Sequence, residues 1–231
     1  AQASSTLGAV VHLALRALFD LPPERRTRAA AAALVDRNWS GEGFRDARQA
    51  AGYRERARGW LADYAADLDP DVEPVGREQW VSVATERIVA EGRVDRIDRR
   101  GAELVVVDYK TGRWVPTERD VADSPALALY AMATERTLRR SCTQVELHHL
   151  PTGEVHAFRH DRASLRAHLD RAEATAGELG AATDDLARGG DPEALFPARP
   201  AARCGSCDLR RSCPEGRAAA PEAPSWANLV P

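Results

Sequence analysis

The spacing of apolar positions changes character twice along the chain. Residues 7–19, "LGAVVHLALRALF", are apolar almost throughout with a helical stripe, and the breaker "DLPPE" follows, so a buried first helix is predicted. Ala- and Arg-rich sequence from Arg25 to Arg37 predicts a second helix. A third is predicted from about Arg45 to Leu68, where Trp60, Leu61 and Tyr64 fall on one face. After "DPDVEPVG" the helical period gives way to alternating or continuous β-branched residues. "QWVSVATERIVAEGRVDRIDRRGAELVVVDYKTG" predicts three strands in a meander, turning at "AEG" and "RRGAE". Ser124 then stands as an N-cap with Pro125 at the first helical position, so a helix over "DSPALALYAMATERTLRR" follows the strands. "TQVELHHL" and "GEVHAFRH", joined by "PTG", predict a hairpin, and "DRASLRAHLDRAEATAGELGAATDDLARG" a last long helix or helix pair.

These elements sum to an α/β fold with a helical N-terminal third. With 231 residues at 44% hydrophobic, there is material for one sizeable core rather than two, so 1–231 is read as a single domain. Its expected parts are a helical region (1–70), a core (71–198), a cysteine-bearing tail (199–217) and a flexible end (218–231). The tail has loop composition and cannot build a core of its own, so something else must order it. Net charge is −3, which excludes a global basic field, yet arginines cluster at 93, 96, 99, 100 and 113 and again at 199, 203, 210, 211 and 217. No apolar run approaches membrane-spanning length and no signal-peptide layout opens the chain, so a soluble, cytoplasmic protein is expected. The chain starts without Met and enters a helix almost at once, from which an upstream segment is expected.

Candidate chemistry begins with Lys110, the one lysine in the sequence. Arginine serves as a solvent-facing cation everywhere else. Lysine differs in having an ammonium whose pKa shifts beside other charges and under partial burial. Strand alternation puts Asp108 and Lys110 on one face, with Tyr109 on the other, and Asp95 on the neighbouring strand. Two carboxylates and an ammonium so arranged suit a hard, oxygen-seeking divalent cation, Mg2+ or Mn2+, with water activated for attack on a phosphodiester. The plainer reading of Asp108 and Lys110 is a surface salt bridge. Asp98 is expected on the other face, paired with a local arginine.

"GRVDRID" followed by "VVDYKTG" closely resembles the paired motifs of RecB-like nucleases in the PD-(D/E)XK superfamily. Asp95 stands at the first acidic position and Asp108-Tyr109-Lys110 at the (D/E)-x-K. "LGAVVH" matches the family's upstream Gly-x-x-x-His element, which puts His12 at a further metal ligand, and "ALALYAMA" puts Tyr130 at the Tyr of the following helix. Ala126 stands where the family usually has Gln. The resemblance implies a restriction-endonuclease-like mixed central sheet flanked by helices. It implies one or two Mg2+ or Mn2+ ions held by His12, Asp95, Asp108 and the Tyr109 carbonyl, with Lys110 and Tyr130 serving catalysis. It also implies exonuclease action on single-stranded DNA or DNA ends in repair or recombination, with a helicase or other repair protein as partner and no membrane. The alternative, drawn from Ala126, is a non-catalytic nucleic-acid-binding or assembly module that keeps the fold.

Cys204, Cys207 and Cys213 cluster tightly, disulfides are rare in a reducing compartment and three cysteines cannot pair completely, so metal is expected, as zinc or as an iron–sulfur cluster. The resemblance favours a [4Fe-4S] cluster, as in AddB-type and CRISPR-associated RecB-like exonucleases, whose fourth cysteine lies upstream of the Gly-x-x-x-His helix. Within this sequence Cys142 is the alternative fourth ligand. His148 and His149 are read as ordinary strand residues on opposite faces, Glu86 as a weak candidate for the metal site, and Trp80 and Trp114 as packing or strand-edge cover rather than base-stacking platforms.

Overall fold

The computed structural model describes residues 1–69 and 72–229. Three helices come first: α1 (Ala3–Phe19), α2 (Arg28–Asn38) and α3 (Ala47–Ala66). Helix α1 buries Leu7, Val10, Val11, Ala14, Leu15 and Leu18, the stripe its spacing predicts. Thr27 and Asp46 cap α2 and α3, each side chain accepting from a backbone amide three residues on. The sheet follows as a meander of β1 (Pro74–Ala84), β2 (Val89–Arg100) and β3 (Glu103–Lys110), but its first turn lies at Thr85–Ile88, where the Thr85 amide donates to the Ile88 carbonyl at 2.8 Å, and the "AEG" read as a turn is paired inside β2. The chain then crosses over through α4 (Glu118–Ala122) and α5 (Pro125–Leu138), the latter opened by Ser124 and Pro125 as predicted. Strands β4 (Cys142–His149) and β5 (Glu154–Arg159) form the hairpin, and α6 (Arg162–Ala187) is one helix rather than two.

Strand order is β1-β2-β3-β4-β5, antiparallel except for the β3–β4 pair, so the sheet is mixed and flanked by helices as expected. Alternation along "LVVVDYK" sorts the two faces. Val105, Val107 and Tyr109 join α1, α2 and α3 in one apolar cluster, while Leu104 and Val106 join Ile97, Leu127, Ala131 and Val145 in another. Helix α4 has no hydrophobic signal of its own; a capping box between Thr117 and Asp120 starts it.

The tail differs from expectation. After a short helix α7 (Pro192–Leu195), two 3-10 turns, Ala202–Ser206 and Arg210–Ser212, and a short helix α8 (Pro214–Ala219) occupy the region read as loop. The end from 218, read from composition as flexible, is docked: Trp226 and Leu229 pack into the first cluster, and the Ala3 amide donates to the Ser225 carbonyl at 2.9 Å. The end of the chain is thus ordered by the start of α1 and by Gly43, whose carbonyl accepts from the Ser225 hydroxyl.

Candidate active site

The site is built where β2 and β3 part. Asp95 and Asp108 would face each other in the register that pairs Arg96 with Val107. In place of a regular ladder, the Tyr109 amide donates to Asp95 Oδ2 at 2.8 Å. That bond fixes one carboxylate oxygen and leaves the other toward α1, where His12 Nδ1 lies 3.2 Å from Asp95 Oδ1. Lys110 is paired with Asp108 Oδ2 and is about half exposed. The Tyr109 side chain points the other way into the first apolar cluster, so only its backbone borders the site.

Glu78 on β1 is the residue that motif reading missed. The register pairing Gln79 with Val94 and Arg77 with Arg96 sets Glu78 opposite Asp95. Its backbone is left-handed, φ 49°, an uncommon and costly conformation for a residue with a side chain. Its Oε1 lies 3.8 Å from His12 Nδ1, and Arg93 Nε lies 2.8 Å from Oε2. The ligand atoms of His12, Glu78 and Asp95 all fall within 4.8 Å of one another, so these three could hold a metal ion. Glu86, the weaker candidate from sequence, is exposed in the β1–β2 turn and takes no part.

Electrostatics fit a cation. Burial, and then the negative field of Asp95, pushes the Asp108 carboxyl above its ordinary value, while Lys110 opposes the shift. Burial works against charge on His12, but its hydrogen bond to Asp95 and the fields of Asp95, Asp108 and Glu78 outweigh it and raise its pKa. A divalent ion would relieve this crowding of carboxylates more effectively than one ammonium.

Tyr130 of α5 completes the pocket. A Cβ on Gly92 would lie 2.6 Å from its ring, so the glycine that opens "GRVDRID" is the space Tyr130 occupies. Burial, with Asp108 and Asp95 adding, raises the pKa of its phenol, which stays protonated. The loop after Lys110 is braced by His149, which is buried, donates through Nε2 to the Gly112 carbonyl at 2.8 Å and lies 2.8 Å from Thr152 Oγ1. His149 is thus more than the ordinary strand residue read from sequence. Trp80 and Trp114, expected as packing or edge cover, are instead 63% and 62% exposed, on β1 two residues from Glu78 and on the loop after Lys110.

Compared with family models, the chain matches the PD-(D/E)XK nuclease superfamily over residues 1–214. The chain belongs to that superfamily. A search of curated proteins finds no match. Superfamily membership makes the mixed sheet with carboxylates at its parting strands the expected nuclease and metal site.

The remaining predicted ligands lie elsewhere. Cys142 sits fully buried in the second apolar cluster, and burial, with Glu135 adding, pushes its thiol up to about 12. It packs as an apolar side chain rather than as the alternative fourth thiolate ligand. In the tail, the Ala201 amide donates to Cys204 Sγ at 3.4 Å and the Gly216 amide to Cys213 Sγ at 3.2 Å, while Cys207 is exposed. No helix among the described residues is long and apolar enough to cross a membrane.

Proposed function

We propose that this chain is a metal-dependent DNA nuclease of the RecB-like type, an exonuclease on single-stranded DNA or DNA ends that serves repair or recombination. One observation carries the reading: His12, Glu78 and Asp95 converge on a common point beside Asp108 and the chain's single lysine. Mg2+ or Mn2+ held there supplies Lewis-acid polarisation of the phosphodiester and lowers the pKa of water. His12, Asp95, Asp108, Glu78 and the Tyr109 carbonyl would hold the ion. Lys110, whose ammonium pairs with Asp108, is the residue placed to orient the attacking water and to offset the charge that builds on the phosphoryl oxygens. Tyr130, protonated and beside both carboxylates, donates a hydrogen bond to the same phosphate. Trp80 and Trp114 support the single-stranded preference, since exposed rings beside the site can stack on unpaired bases.

Cys204, Cys207 and Cys213 are proposed to hold a [4Fe-4S] cluster, zinc being the alternative, with the fourth thiolate supplied from upstream of α1. Backbone amides donate to the Cys204 and Cys213 sulfurs, and the chain beyond them returns through Ser225 to the start of α1. The cluster would tie the tail to the N-terminal region. Anaerobically purified protein absorbing broadly near ~400 nm would identify iron–sulfur over zinc.

The test of the nuclease reading is degradation of end-labelled single- and double-stranded DNA with Mg2+ or Mn2+, beside Lys110→Ala. Metal-dependent product from the wild type and little from the variant is expected. Absence of metal-dependent product, or equal product from both, would overturn it in favour of a non-catalytic binding module.

A further inference from the structure

Several arginines here lean on a carboxylate, as Arg26 does on Glu73, Arg77 on Asp20 and Arg119 on Asp123. One group that gathers around a single cavity does not. A cavity of about 770 Å³ lies between the C-terminal end of α5 and the first turns of α6, lined by Arg136, Arg139, Arg140, Arg162 and Arg166. Of these only Arg166 is ion-paired among the described residues, to Asp170 at 2.8 Å. The one acid in the lining, Glu135, is already accepting from the Cys142 amide at 3.1 Å. This concentration of unpaired positive charge stands in a chain whose net charge is −3.

Structural needs account for little of it. The dipole of α5 favours cations at its C-terminal end, but Arg162 and Arg166 stand at the N-terminal end of α6, where the dipole repels them. Arg162 and Arg166 are like charges four residues apart on α6, a spacing that destabilises a helix. Arg139 ends α5 in the left-handed region, φ 53°, where glycine is the low-cost residue. A residue kept against its backbone preference, in a cluster kept against its own repulsion, points to a polyanion.

We infer that this arginine-lined cavity binds the phosphate backbone of a nucleic-acid strand beyond the cleavage site. The inference rests on the reading of the substrate as nucleic acid, and the spacing suits it. Arg136 and Arg139 follow Tyr130 on α5 by about 9 and 13 Å of helix axis, at ~1.5 Å per residue. At about 3.4 Å per stacked nucleotide the cavity sits roughly three to four nucleotides from the site. Strand β1 runs the same way: Val81 pairs with Gly92, which touches Tyr130, and Val83, two residues on, lines the cavity. Phosphate contacts of this kind position a strand without reading its sequence.

Binding of a fluorescent 20-nucleotide single strand, read by anisotropy in EDTA so that no cleavage occurs, tests this directly. The full chain is compared with Arg136→Ala/Arg139→Gly/Arg140→Ala/Arg162→Ala. The quadruple variant is expected to bind at least about tenfold more weakly, with a log–log salt slope shallower by about 2 to 3, since each phosphate contact contributes ~0.7 for single strands. Arg139→Gly alone is expected to weaken binding while the melting temperature stays level or rises, opposite to the effect of ordinary structural damage. Should the quadruple variant fail to fold, Arg139→Gly and Arg140→Glu carry the test. Unchanged affinity and slope in folded variants overturn the inference and leave the cavity to an acidic protein partner. A wild type that binds through these arginines but never cleaves would sink the nuclease reading and leave this one standing.

Discussion

The two faces of β2 and β3 are made from the same few residues and end in opposite states. On one face, Asp95, Asp108 and Lys110 crowd two carboxylates onto one lysine, with His12 and Glu78 alongside. On the other, Arg96 forks onto Asp98, with Nη2 and Nε each 2.9 Å from a carboxylate oxygen, and donates through Nη1 to the Tyr64 and Tyr109 hydroxyls at 2.8 and 3.0 Å. The Tyr64 hydroxyl meets His148 Nδ1 at 2.9 Å, and His148 Nε2 meets Glu146, which Arg100 also holds. Arg96 and Asp98 are 2% and 1% exposed and every charge there has an opposite partner. The closed face supplies rigidity, because breaking any one pair strands a buried charge. The open face keeps its charges unbalanced, and that imbalance is what a metal ion and a phosphate can answer. The Tyr109 peptide joins the two: its ring is gripped behind the sheet while its amide holds Asp95 in front.

The largest expected effect is on rate. Lys110→Ala should lower metal-dependent cleavage by about 10²- to 10⁴-fold with little change in melting temperature. Lys110→Arg should do nearly as badly in the same assay, since a bulkier, permanently charged fork cannot replace a compact ammonium.

Stability should separate the faces next. Asp98→Asn leaves the buried Arg96 unpaired and is expected to cost about 3–5 kcal/mol in urea unfolding. Asp108→Asn should move the metal-free protein the other way, because burial and Asp95 disfavour its charge by more than Lys110 favours it. If both asparagine variants destabilise alike, the contrast between the faces fails.

Acid should attack the closed face. Burial works to raise the Glu146 pKa, but His148 and Arg100 overcome it and hold the carboxyl at about 2, below its ordinary 4.5. A group depressed in this way stabilises the fold above pH 4.5 and loses that contribution as pH falls toward 2, an effect of about 3 kcal/mol. Urea midpoints measured from pH 6 down should show the loss in wild type and a flatter profile in Glu146→Gln.

The smallest effect sharpens the open face. Gly92→Ala presses a methyl group into the Tyr130 ring and should slow cleavage about three- to tenfold. In a Tyr130→Ala background the same change should be nearly silent, as a double-mutant cycle would report.

Much of this was legible along the chain. Alternation alone sorted Asp108 and Lys110 from Tyr109, helical spacing gave the buried stripe of α1, and Ser124-Pro125 marked the start of α5, because each is a local pattern with a fixed period or a fixed cap. Asp95, Asp108, Lys110, His12 and Tyr130 could be nominated because their neighbours in sequence formed motifs. Other features are decided by contacts between distant segments. Glu78 joins His12 and Asp95 only because the β1–β2 register and a left-handed backbone turn it inward. Tyr64 meets His148 across 84 residues, His149 reaches back 37 to hold the loop after Lys110, and the apparently loose end finds its place through Ser225 on Ala3. Cys142 looked like a spare ligand until the sheet enclosed it. Sequence nominated the residues of the candidate site and determined which side of a strand each takes. Tertiary structure decided which of them meet, because burial and charge balance depend on partners brought together only by folding.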